Sequence, residues 1–201
     1  MITTLYITLS ALYLLFQDRT PTRLVLLKAA PILLLASWCI WIDAPRMLTI
    51  ALLLSAAGDI ALGLDGERYF VQGLGFFLLA HVAYVWIFGR SLVFTLAALL
   101  PIAFTLLIAI LLIPRLYPVL GKLRIPVLFY VSIIIAMGLT AALHSPFNLM
   151  LVTGAIIFML SDATIAVDKF VQPVAYRNFI VMFTYYLAQY LIVVAFLRDI
   201  F

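Results

Sequence analysis

The chain has 201 residues, 68% of them hydrophobic and 10% charged, with a formal net charge of +4. A soluble domain is nearer half apolar and a quarter charged, so the composition excludes a soluble globular protein and leaves almost nothing for an extramembrane domain. The basic residues stand singly between apolar runs, as membrane flanks do, and argue against a nucleic-acid partner. Cys39 is the only cysteine, which excludes an internal disulfide and a cysteine-rich metal site.

Charges, prolines and glycines divide the chain into eight predicted helices, at about 2–16, 22–42, 47–64, 70–88, 91–113, 125–143, 147–166 and 176–197. The expected fold is all-α: a polytopic membrane protein with eight transmembrane helices in one membrane domain over residues 1–201. The first helix has neither a basic n-region nor a small-residue cleavage pattern and reads as a retained span. The second carries Lys28 and an interior Pro31, and the fifth an interior Pro101; both prolines are expected to kink their helices. Pro21 and Pro146 precede helices, and Pro126 falls in a first turn, where a missing N–H costs little. Asp59 lies in the third helix and Asp162 in the seventh. His81 and Tyr84, an i,i+3 pair in AHVAY, lie in the fourth, and Tyr185, Tyr186 and Gln189 form a polar patch in the eighth.

Counting Lys28 with the near end of its helix, the odd-numbered connections hold Arg19, Arg23, Lys28, Arg68, Arg115, Lys122, Arg124, Lys169 and Arg177; the even ones and the tail hold Arg46, Arg90 and Arg198. This nine-to-three bias predicts cytoplasmic odd connections and two extracytoplasmic termini. A repeat adds to the picture. Asp59 and Asp65 are six positions apart, as are Asp162 and Asp168, and Phe-Val-Gln follows each pair, at 70–72 and 170–172. The copies end helices three and seven, so they share an orientation. The expectation is two parallel four-helix halves, approximately 1–90 and 91–201.

With a rise of about 1.5 Å per residue, Lys28, Asp59 and Asp162 all fall roughly 6–9 Å below the cytoplasmic boundary. Ionisable groups at that depth are costly and normally face inward with partners. A structural ion pair accounts for such a layer, and snorkelling accounts for Lys28 alone; two acids and one base in one layer fit a shared site better. Two carboxylates in a low dielectric resist being ionised together, so one keeps a proton while a lysine favours the other as anion. The result is a general acid beside a general base. His81, Tyr84, Tyr185, Tyr186 and Gln189 fit a cavity lining or interhelical hydrogen bonding equally well. Ser55 and Ser161, beside the aspartates, are explained by close packing, and Asn148 sits at the outer boundary.

Other chemistries find no footing. The two histidines, His81 and His144, do not make a zinc site. There is no G-x-S-x-G elbow, and Gly73-Leu74-Gly75 lacks the third glycine and the strand of a nucleotide loop. Paired intramembrane carboxylates with internal repeats also occur in proton-coupled transporters and channels. That is the competing expectation, although an off-centre charged layer argues against it.

Lys28 with Pro31, SAAGDIALGLD, GLGFFLLAHVAY, FMLSDATIAVDKF and TYYLAQYLI together resemble the YhhN-like lysoplasmalogenase family over nearly the whole chain from the second helix onward. The KAAP spelling departs from the proline expected directly after the lysine in many relatives. The resemblance implies an eight-span, cofactor-free and metal-free hydrolase that cleaves the vinyl ether bond of lysoplasmalogens. The products are a fatty aldehyde and glycerophosphoethanolamine or glycerophosphocholine. Asp59 and Asp162 would then be catalytic with Lys28, and His81, Tyr84, Tyr185, Tyr186 and Gln189 substrate-binding. The expected partners are a lysophospholipid and the bilayer, and the expected location is a bacterial inner (plasma) membrane.

Overall fold

The computed structural model describes residues 1–17 and 24–198; Arg19, Pro21 and Arg23, with the expected start of the second helix, lie outside the described residues. Eight α-helices follow one another: α1 (Ile2–Phe16), α2 (Val25–Trp41), α3 (Arg46–Leu62), α4 (Glu67–Phe88), α5 (Leu99–Leu116), α6 (Arg124–Leu143), α7 (Leu149–Phe170) and α8 (Arg177–Arg198). Among the described residues there is no strand, only an isolated antiparallel bridge between Leu92 and His144. The fold is all-α, as expected from the composition.

Among the described residues, five segments are long and apolar enough to cross a bilayer: Glu67–Phe88, Leu96–Leu116, Gly121–Leu143, Leu149–Phe170 and Arg177–Leu197. The protein is an integral membrane protein. α1, α2 and α3 have 15, 17 and 17 residues, fewer than the ~20 that span a hydrocarbon core of about 30 Å. Among the described residues eight helices are present, and five segments meet the length of a full crossing.

The chain divides into two compact units, Met1–Ile87 and Phe88–Phe201. In the N-terminal unit, α2 packs against both α1 and α3. α1 has its polarity reversed relative to a soluble amphipathic helix. Tyr6, Ser10, Tyr13 and, at its C-cap, Gln17 are buried, while Leu5, Ile7, Leu12, Leu15 and Phe16 are exposed. The spacing of four, three and four makes one inward stripe; the outward face is what lipid solvates. α3 and α4 approach closely because glycines face bulk. A Cβ on Gly58 would lie 2.7 Å from the Phe77 ring, and one on Gly73 2.6 Å from Leu62.

In the C-terminal unit, α7 packs extensively on α8, α6 packs on α5 and α7, and α5 also reaches α7. Asn148 caps α7, its Oδ1 accepting from the Met150 and Leu151 amides at 3.0 and 3.2 Å, which satisfies two orphan donors of the first turn. Ser161 Oγ donates to Val181 O on α8 at 3.0 Å. Gly154 lets α8 come close enough that a Cβ would meet Ala188 O at 3.1 Å and Ile192 Cγ1 at 2.9 Å. Leu116, Leu120, Val127 and Val131 close the α5–α6 end of the unit, with Ala166 and Phe170 of α7 packed on them.

Three local expectations are corrected. The fifth helix begins at Leu99, not at 91, because residues 91–93 run beside the α6–α7 connection: Val93 N donates to Leu143 O and Ser145 N to Ser91 O, at 2.8 and 2.9 Å. Pro101 is therefore the third residue of α5, in the first turn, where proline breaks no helical bond. The helix instead runs through Pro114 near its other end. The seventh helix continues four residues past 166 to Phe170, because SDATIAVDKF has no helix-breaking glycine, whereas α3 stops at the C-cap Gly63. The two Phe-Val-Gln triplets consequently differ: 70–72 lies within α4, and 170–172 straddles the end of α7.

Candidate active site

Lys28 and Asp59 meet in the N-terminal unit. Lys28 is three residues into α2 and Asp59 three residues before the end of α3, so both lie about 4.5 Å from the ends of a shared hairpin. Lys28 Nζ is 3.8 Å from Asp59 Oδ1, and the two side chains are 11% and 2% exposed. That separation is an ion pair beyond direct hydrogen-bond length. The carboxylate thus has a cation beside it in a buried setting.

Asp162 has a different companion. In the C-terminal unit, Tyr130 Oη donates to Asp162 Oδ2 at 2.7 Å, with both groups buried. Tyr130 is six residues into α6 and Asp162 eight residues before the end of α7, which gives depths of roughly 9 and 12 Å along antiparallel helices. The extra length of α7 carries Asp168 and Lys169 in its last turns, so that its end is not the edge of its apolar part. Ser161 fixes α7 against α8 one residue away, which orients the Asp162 face.

Sequence reasoning missed Tyr130. No local pattern singled it out, and only the structure shows the contrast with Ser132 and Thr140, the other hydroxyls of α6, which each donate to a carbonyl four residues back. A phenol reaches too far for such local bonding and has to find its partner on a neighbouring helix.

The remaining sequence candidates are all buried. His81 is fully enclosed in α4, its Nδ1 2.6 Å from Phe77 O, and Tyr84 is buried one turn on. Tyr185, Tyr186 and Gln189 are buried on α8; the Tyr185 ring packs edge-on against Phe158 of α7 at 5.5 Å. Asp168, which the repeat singled out, has a structural role at the α7–α8 connection. Its Oδ1 accepts from Val174 N at 2.9 Å, and its Oδ2 lies 3.5 Å from Arg177 Nε. Arg124 lies over the Tyr117 ring at 4.3 Å. Among the described residues no group of three or more His, Cys, Asp or Glu side chains is gathered as metal ligands would be.

The family model of the YhhN family matches residues 24–196, which takes in both aspartates, Lys28 and Tyr130. The chain belongs to the YhhN family. It is 35% identical over 197 residues to lysoplasmalogenase TMEM86B of Homo sapiens, covering 91% of this chain and 79% of that one. It is 36% identical over 151 residues to lysoplasmalogenase TMEM86A of Bos taurus, covering 71% and 62%. A lysoplasmalogenase of Mycobacterium bovis is 34% identical over 138 residues, covering 63% of this chain and 51% of the relative. No solved structure matches. α1 precedes the part of this YhhN chain that the family model matches.

Proposed function

We propose that the protein is a lysoplasmalogenase: a membrane hydrolase that cleaves the vinyl ether bond of a lysoplasmalogen to a fatty aldehyde and glycerophosphoethanolamine or glycerophosphocholine. Relatives with that name lend support, since they are named as enzymes and not as transporters. The observation that carries the chemistry is the unlike company of the two buried aspartates, a lysine for Asp59 and a neutral phenol for Asp162. A neighbouring cation favours the ionised carboxylate and a neutral donor does so less. Asp59 is accordingly the base and Asp162 the acid.

The reaction begins when Asp162 gives its proton to the alkene carbon remote from oxygen. The ether oxygen then shares the positive charge as an oxocarbenium ion, which the Asp59 carboxylate stabilises electrostatically. Water adds to the carbon bonded to the ether oxygen, Asp59 takes the released proton, and the hemiacetal collapses to aldehyde and the free glycerol hydroxyl. Lys28 is the cationic partner of Asp59. His81, Tyr84, Tyr185, Tyr186 and Gln189 contact the lipid. The head-group phosphate meets basic residues such as Arg68, Arg115, Lys122 and Arg124 at the cytoplasmic rim. The proposal includes eight membrane-embedded helices in two parallel halves, both termini being extracytoplasmic on the nine-to-three charge bias.

Three matched lysophospholipids test this reading with purified protein and product analysis by mass spectrometry. The 1-alkenyl lipid should yield free aldehyde, the 1-alkyl analogue should stay intact, and the 1-acyl analogue should be nearly untouched. In deuterated water the aldehyde should carry deuterium at its second carbon. Rapid release of fatty acid from the acyl lipid would replace the proposal with an esterase mechanism.

A further inference from the structure

We propose that Tyr130 is the positioning residue of the reaction, selecting which oxygen of Asp162 delivers the proton. This rests on the lysoplasmalogenase reading above and deepens it. A phenol O–H donates, and its 2.7 Å bond to Oδ2 occupies that oxygen as an acceptor. A neutral Asp162 must then carry its proton on Oδ1. Tyr130 is thereby a selector between two chemically equivalent oxygens, and it keeps the carboxyl from rotating between them.

The bond also changes strength during the reaction. As Oδ1 gives its proton to the alkene carbon, Asp162 becomes a carboxylate, and its bond from Tyr130 becomes charge-assisted. Such bonds are roughly twice as strong as neutral ones. The interaction therefore grows between the bound substrate and the transition state, which is the kind of contact that raises kcat rather than lowering KM. Asp162 is reprotonated before the next turnover, the balancing proton being the one that the added water gives up to Asp59, so the phenol stays protonated throughout and never transfers a proton itself. Burial adds to the effect, because a hydrogen bond is electrostatically stronger in a low-dielectric interior.

Geometry accounts for why a tyrosine does this. Asp162 is on α7 and Tyr130 on α6, and the two helices pack directly. Serine at position 130 would be too short to cross the gap and would bond to its own helix, as Ser132 does to Leu128 O. The Tyr130 backbone is held in turn by Val127 and Val131, buried on either side of it in the α5–α6 cluster.

The test is a double-mutant cycle on the full chain, purified in detergent, with folding followed by thermal unfolding. Tyr130→Phe should lower kcat by about 10- to 100-fold with KM within about twofold, and should enlarge the solvent deuterium isotope effect. In an Asp162→Asn background the same change should cost nothing further, since Tyr130 acts only through Asp162. Replacing Tyr130 by 3-fluorotyrosine, which keeps the O–H donor and its reach, should retain kcat even if the phenylalanine variant folds poorly. Wild-type kcat in Tyr130→Phe, or an equal loss in both backgrounds, would overturn the proposal while leaving the lysoplasmalogenase reading intact. Wild-type turnover in Asp162→Asn would instead bring down that reading and the role of Tyr130 with it.

Discussion

Asp59 and Asp162 each sit where ionisable groups are expensive, and each has a different neighbour to justify it. Asp59→Asn and Asp162→Asn should each reduce kcat/KM by at least about 100-fold with folded protein retained, because the amide keeps size and hydrogen bonding but cannot exchange a proton. Steady-state turnover of the alkenyl lipid checks this. Lys28→Met isolates the structural share of the ion pair. Removing one partner of a buried pair costs about 3–5 kcal/mol through the charge left behind, so unfolding temperature should fall. The double variant Lys28→Met with Asp59→Asn should recover most of that loss, and a double variant as unstable as the single one would show that the cation packs rather than pairs. At this scale the sequence made Lys28 and Asp59 legible, because charges in apolar helices are conspicuous and one helical hairpin brings them together. Tyr130 was not legible, since a tyrosine is unremarkable in a membrane span until its partner is known.

The eight helices could be read from the sequence because each is bounded by charge, proline or glycine. Their ends were less accessible where tertiary pairing decides them. The extended run at 91–93 owes its shape to residues 143–145, some fifty positions away, and no local pattern in 89–98 announces that. Packing between helices depends on single small residues. Gly154→Val should lower the unfolding temperature, with a cost of about 1–3 kcal/mol, because the added carbons meet the α8 backbone at Ala188 and Ile192. A backbone cannot swing aside as a side-chain tip can. Thr105 points the other way. It is fully buried on α5 beside Gly138, with its hydroxyl lacking a hydrogen-bond partner among the described residues. Thr105→Val removes that unmet group, worth about 1–3 kcal/mol when left buried, and should hold or raise the unfolding temperature. A marked fall would mean that the hydroxyl is satisfied after all.

For the molecule as a whole, the lopsided distribution of lysine and arginine predicts the orientation. In a Cys39→Ser background, Lys122→Cys should be shielded from an impermeant thiol reagent in intact cells and labelled once the membrane is permeabilised. Arg90→Cys should be labelled from outside. Labelling of Lys122→Cys in intact cells would invert the topology and move the proposed charged layer to the other leaflet.

The inverted stripe of α1 bears on how the protein reaches the membrane. In lipid alone, Tyr6, Ser10, Tyr13 and Gln17 would face hydrocarbon along one side of a helix of only 15 residues, too short and too polar on that edge for a stable solitary crossing. α2 is the helix packed on α1, and ribosomes make it next. α1 is therefore expected to enter the bilayer together with α2, as a hairpin, rather than alone. The pair can partition together only once α2 as well as α1 has cleared the ribosome.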